Sequence, residues 1–193
     1  MKFLSTPLEG CFLVEQEPRG DDRGFFARLY CTEEFKSAGL ASNFVQANNA
    51  FSKQKGTLRG LHYQLPPSAE SKLIRCISGS VFDCVVDLRP DSVTFGKWFG
   101  AELTPENRLM LYVPKGFAHG YQTLADNTEL IYLVDEFYAP QAEGGLKWDD
   151  PQVAIDWPLE PSVLSPKDQS LPAFSPKNYA DMTGLTSKTD TPR

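Results

Sequence analysis

The sequence predicts an all-β domain of the jelly-roll type, a sandwich or closed barrel of antiparallel strands with one or two short helices. Short apolar runs, broken by Gly, Pro, Asn and Asp, fill the chain from Phe12 to about Tyr138. That is the punctuation of successive strands, not of strands alternating with long helices. Residues 81–89 (VFDCVVDLR) alternate with period two: Phe82, Cys84, Val86 and Leu88 form an apolar face, and Asp83, Asp87 and Arg89 line the other. Such alternation marks an antiparallel sheet with one face on a core.

Taken in order, residues 12–14 are the first strand candidate. Residues 32–39 (TEEFKSAG) have an N-cap threonine, two acids in the first turn and a glycine stop, which predicts a short helix. Strands are expected at 72–77, 81–89, 109–113 and 129–134. Thr104-Pro105-Glu106-Asn107 reads as a single capped turn with proline at its first position. No internal repeat or second domain is visible. Prolines and polar residues dominate after Asp168, so the domain is expected to span 1–175, with 176–193 a polar, extended or mobile tail.

The 193 residues are enough for one domain with a sizeable core and no disulfide staples. A net charge of −6 without a basic run argues against nucleic acid or an anionic membrane surface as partner, so an anionic ligand would need locally gathered Arg and Lys. Pro7 and Glu9 interrupt the N-terminus before any apolar run reaches signal-peptide length. With Cys11, Cys31, Cys76 and Cys84 lacking a CxxC pair, this predicts a cytoplasmic domain with free thiols.

The chain has two histidines, His62 in GTLRGLHYQ (56–64) and His119 in VPKGFAHGY (113–121), each between glycine and aromatic neighbours. Histidine takes and returns a proton near neutral pH without metal or cofactor; alone, either is more readily a hydrogen-bonded core residue. Arg23, Gln46, Asn48, Arg59, Lys72, Tyr132, Tyr138, Glu143, Lys167 and Asp168 are the other polar residues that a barrel could gather around one cavity. Each has a plainer reading: Lys72 solvated, the two tyrosines packed at a rim, Asp168 in a turn. Arg59 and His62 are three apart and face opposite sides of a regular strand, so a bulge or strand end is expected between them.

In company these segments say more. GTLRGLHYQ, FVQANNAFS (44–52), DDRGFFAR (21–28), VDLRPDS (86–92), VPKGFAHGY, YLVDEFYAP (132–140), GLKWDDP (145–151) and LSPKD (164–168) together resemble the dTDP-4-dehydrorhamnose 3,5-epimerases, cupin-fold (double-stranded β-helix) enzymes of deoxysugar biosynthesis. The resemblance covers roughly residues 3–172. It implies that His62 is the base removing a carbon-bound proton, with Asp168 orienting and charging it. Lys72 would stabilise the enolate oxygen and Tyr132 would return a proton from the opposite face. Arg23, Gln46, Asn48, Arg59, His119, Tyr138, Glu143 and Lys167 would bind the nucleotide-sugar, with Phe26 bordering the pocket. A homodimer is implied as well. Two positions depart from the pattern: Arg28 stands where many members have glutamate, and Asn49-Ala50 replaces a common His-Ser pair.

The residue types suit the chemistry. A ketone at sugar C4 acidifies the hydrogens at C3 and C5, because either carbanion delocalises onto the carbonyl oxygen. A base, a positive charge at that oxygen and an acid on the far face suffice, with no redox cofactor. No metal site is expected either, since two histidines in separate segments without an HxH pair are too few ligands. The alternatives are a single-site epimerase or ketoisomerase on a related 4-keto nucleotide-sugar, and a non-catalytic cupin that binds one. A sensor has no need of a base facing an acid.

Overall fold

Strands alternate with tight turns along nearly the whole chain, as the punctuation requires. The structure, a computed structural model, describes residues 1–185. Its strands are β1 (Lys2–Ser5), β2 (Phe12–Glu15), β3 (Arg19–Asp21), β4 (Gly24–Phe26), β5 (Gln46–Ser52), β6 (Thr57–Gln64), β7 (Lys72–Ser78), β8 (Val81–Asp87), β9 (Trp98–Leu103), β10 (Leu109–Val113), β11 (Phe117–Thr123), β12 (Thr128–Val134), β13 (Glu143–Gly145) and β14 (Val163–Leu164). Two short α-helices accompany them, α1 (Thr32–Ser37) and α2 (Pro166–Gln169).

One sheet runs β1-β2-β10-β7-β12-β5; the second runs β13-β6-β11-β8-β9, with β14 beside β6. Pairing is antiparallel except for β14 on β6. Between the sheets lies a core that includes Ile74, Val85, Leu111, Phe117 and Leu130. Phe35 of α1 closes the outer face of the first sheet over Val14, Leu73 and Met110. Leu146, Val153, Tyr179 and Met182 close the outer face of the second over Leu61, Val86 and Leu88. This is the expected all-β jelly roll with two short helices. Among the described residues no helix is long and apolar enough to cross a membrane, and the four cysteines are free.

The structure differs from the sequence reading in three places. First, β8 is buried on both faces, not one. Val86 and Leu88 lie under the C-terminal segments, while Val81 and Val85 join the core between the sheets. Asp83, Asp87 and Arg89 are fully buried. Charge is tolerated there because it is paired: Arg89 donates to Asp87 Oδ1 at 2.9 Å and to the Glu9 carbonyl at 2.8 Å, and its guanidinium lies 4.6 Å from the Phe117 ring centroid.

Second, α1 is capped by Cys31 with no side-chain cap bond, and Thr32 is its first helical residue. The turn at 104–107 forms as expected: the Asn107 N–H donates to Thr104 Oγ1 at 3.0 Å and the Thr104 N–H to Asn107 Oδ1 at 3.1 Å. Third, the domain does not stop at 175. Pro176–Met182 forms a 3-10 turn that buries Tyr179 and Met182 against the second sheet. Two apolar side chains suffice to dock a short segment that polar composition alone would leave loose. The remainder of the expected tail, 186–193, lies outside the described residues.

The bulge between Arg59 and His62 is present. His62 faces His119 and Arg59 faces Tyr121, so Gly60 and Leu61 oppose the single residue Gly120. Gly60 has φ +111, and a Cβ there would stand 2.7 Å from Gly120 Cα. Only glycine fits.

Candidate active site

A cleft of about 330 Å³ opens between the two sheets, lined by residues from both. The first sheet supplies Gln46 and Asn48 from β5, Lys72 from β7, and Tyr132 and Val134 from β12. Register places them in two rows. Lys72, Val134 and Gln46 are cross-strand neighbours, as are Ile74, Tyr132 and Asn48; directly paired residues share a face. The opposite wall carries His62 and Gln64 from β6 and Glu143 from β13, with Glu70 and Tyr138 at the loops.

His62 is anchored from a distant part of the chain: its Nε2 lies 2.6 Å from Asp168 Oδ1. Asp168 is buried in α2, where Pro166 occupies the first turn and the Ser165 cap accepts the Asp168 N–H at 3.0 Å. Asp168, for which a turn is only the plainer reading, is therefore helical and held. Burial lowers the His62 pKa, outweighing the attraction of Asp168. The imidazole is thus neutral at pH 7, with Nε2–H donated to the carboxylate and Nδ1 left as the basic nitrogen.

Across the cleft, burial raises the Tyr132 pKa, with Tyr121 and Glu70 adding to it, so the phenol holds its proton. Lys72 Nζ lies 3.1 Å from Glu70 Oε1, both side chains largely buried. Gln46 Nε2 donates to Asn48 Oδ1 at 2.8 Å. At the mouth, Glu143 accepts from the Tyr138 hydroxyl at 2.9 Å and from Lys167 Nζ at 2.7 Å. Burial pushes the Glu143 pKa up, but these partners prevail and hold it below the usual carboxylate range.

His119 faces His62 across the β6–β11 pair, and its Nε2 bonds the buried Asp83. Arg59 donates to the Phe51 carbonyl at 3.1 Å and to Ser52 Oγ at 3.3 Å, close enough to Tyr132 to lower its pKa. Arg23 and Phe26 are not brought to the cleft of their own chain. Both belong to the β3–β4 hairpin, where the Arg23 side chain is 89% exposed and paired with Asp21 at 2.5 Å. Phe26 is 73% exposed. Arg28 pairs with Glu34 at 2.5 Å on the same side of the chain as the N-terminus.

Three residues that the sequence reading did not single out belong to this architecture: Glu70 beside Lys72, Gln64, and Asp83 behind His119. Glu70 and Gln64 carry a legible signal, since each lies two residues from a named site residue and so shares its face where the chain is extended. Asp83 carries none, because its partner strand is distant in sequence.

A family model described as dTDP-4-dehydrorhamnose 3,5-epimerase matches residues 5–176. The chain belongs to this family of isomerases. It is 42% identical over 180 residues to the dTDP-4-dehydrorhamnose 3,5-epimerase of Shigella flexneri, covering 93% of this chain and 99% of that protein. The crystal structure of the epimerase from Elizabethkingia anophelis NUHP1 superposes with a TM-score of 0.89 at 44% identity, covering 93% of this chain and 99% of the other. That of the Bacillus anthracis str. Ames epimerase, with TDP and PPi bound, gives 0.87 at 43% identity, covering 90% and 99%. The fold is thus the cupin-type jelly roll of these epimerases.

Proposed function

We propose that the protein epimerises C3 and C5 of a 4-keto-6-deoxy nucleotide-sugar, converting dTDP-4-dehydro-6-deoxyglucose to dTDP-4-dehydro-rhamnose. The observation that carries this reading is the opposition of His62 on one sheet to Tyr132 on the other, with Lys72 beside Tyr132 on the neighbouring strand of the same cleft. His62 Nδ1 takes the proton from the carbon beside the ketone, and the electron pair moves onto the C4 oxygen, where the Lys72 ammonium stabilises the enolate. Tyr132 then protonates the carbon from the other face, and the configuration inverts. Asp168 keeps Nε2 protonated and stabilises the imidazolium that forms. Glu70 fixes the Lys72 ammonium.

Gln46, Asn48, Arg59, His119, Tyr138, Glu143 and Lys167 hold the nucleotide-sugar in this reading, with Arg59 as a fork for diphosphate oxygens. Arg23 reaches a substrate only across an interface with a second copy. The exposure of Phe25 and Phe26 on its hairpin supports a homodimer, which equilibrium sedimentation at micromolar concentration tests. A cytoplasmic location accords with the free thiols. The reaction is tested by proton NMR in D2O with dTDP-4-dehydro-6-deoxyglucose: deuterium enters at both C3 and C5 with inversion. Exchange at one carbon alone would make the protein a single-site epimerase, and none would remove the reading.

A further inference from the structure

Gln64 ends β6, two positions beyond His62, and its side chain is spent entirely on two loops. Its Nε2 donates to the Ser68 carbonyl at 2.8 Å and to the Phe137 carbonyl at 3.3 Å. Its Oε1 accepts the Ala139 N–H at 2.6 Å. Both amide hydrogens and one oxygen lone pair are therefore engaged in a residue that is 4% exposed. Phe137 and Ala139 are the immediate neighbours of Tyr138, a residue 57% exposed at the cleft mouth beyond the end of β12. The Tyr138 hydroxyl is tied to Glu143 at 2.9 Å, but a loop aromatic with so little packing keeps its place only if its backbone is fixed as well. A carboxamide is suited to fixing it, since it grips a carbonyl and an N–H on either side of one residue.

We infer that Gln64 is a positioning residue: it clamps the backbone around Tyr138 and so, together with the Glu143 bond to the Tyr138 hydroxyl, holds that ring in place for the substrate entering the cleft. The Gln64 carboxamide also ties the 65–68 loop to the strand that carries His62. The inference rests on the reading of the cleft as the nucleotide-sugar site. Because the ring meets substrate and not the reacting carbons, the clamp acts on binding.

The test is steady-state kinetics on the full chain with dTDP-4-dehydro-6-deoxyglucose, for Gln64→Glu, Gln64→Leu, Tyr138→Ala and the two double variants. Gln64→Glu keeps the size and the acceptor for Ala139 but turns a carboxylate oxygen toward two carbonyls; Gln64→Leu removes every bond of the clamp. Both are expected to raise KM roughly 5–30-fold with kcat nearly unchanged. In the Tyr138→Ala background neither is expected to raise KM further, because the group they act through is gone. A purely structural role would add its penalty in both backgrounds, and that result, or an unchanged KM in folded Gln64→Glu, overturns the clamp. If Tyr138→Ala alone leaves KM unchanged, the assignment of Tyr138 to the substrate site has failed and the clamp falls with it. A KM rise in Tyr138→Ala without one in the Gln64 variants leaves that assignment standing and removes only the clamp.

Discussion

His62 Nε2 and Asp168 Oδ1 stand 2.6 Å apart although 106 positions separate them in the chain. The contact fixes which nitrogen of His62 is basic: with Nε2 engaged by a buried carboxylate, Nδ1 is the one left for substrate. It also ties β6, through His62, to α2.

This pairing sets a pH dependence. The His62 pKa lies below 6.5 because burial outweighs Asp168, and the base must be neutral to act. In the free enzyme kcat/KM therefore rises with pH through a pKa below 6.5. Asp168 favours the imidazolium, so Asp168→Asn lowers that pKa further. The acid limb moves to lower pH while the plateau falls by roughly 10²-fold or more. A limb displaced to higher pH in the variant would contradict the assignment.

Arg59→Ala is expected to raise KM by roughly tenfold or more while leaving turnover at saturation nearly unchanged. Its proposed partner, the diphosphate, does not change charge along the reaction, so the interaction is uniform binding. Initial-rate kinetics separate the two constants. A large fall in kcat at unchanged KM would place Arg59 in the chemistry, through the Tyr132 that it neighbours.

Arg89 and Asp87 form a fully buried pair at the end of β8. Arg89→Leu leaves the Asp87 carboxylate buried without its cation and is expected to cost about 3–5 kcal/mol of stability, read by denaturant unfolding. Burial raises the Asp87 pKa, but bonds from Arg89, Ser92 and Thr94 prevail and hold it below 3.8. Its contribution is therefore present above pH 3.8 and lost as pH falls through the depressed value. Stability of Arg89→Leu within 1 kcal/mol of the parent would show the network to be dispensable.

Much of this was legible because strands report themselves locally. The period-two run at 81–89 and the offset of Arg59 from His62 predicted a strand and a bulge, and both are present. What alternation does not report is what covers each face: β8 turned out buried on both sides because the C-terminal segments, including Tyr179 and Met182, fold back over it. The same blindness hid the carboxylate behind His119, since Asp83 meets it only through β8–β11 pairing. Arg23 stands among the site residues that the resemblance implies, yet its hairpin lies outside the cleft of its own chain.

The opposition of His62 to Tyr132 is tested most directly by deuterium incorporation from D2O into dTDP-4-dehydro-6-deoxyglucose, followed by proton NMR, with circular dichroism confirming that each variant is folded. In His62→Ala, wash-in at C3 and C5 falls by roughly 10²–10⁴-fold, because no other group begins the reaction. In Tyr132→Phe the first proton is still removed, but the carbanion is reprotonated from the face it left, so deuterium enters with retained configuration and inversion fails. Undiminished exchange in folded His62→Ala, or full inversion by Tyr132→Phe, would contradict the mechanism.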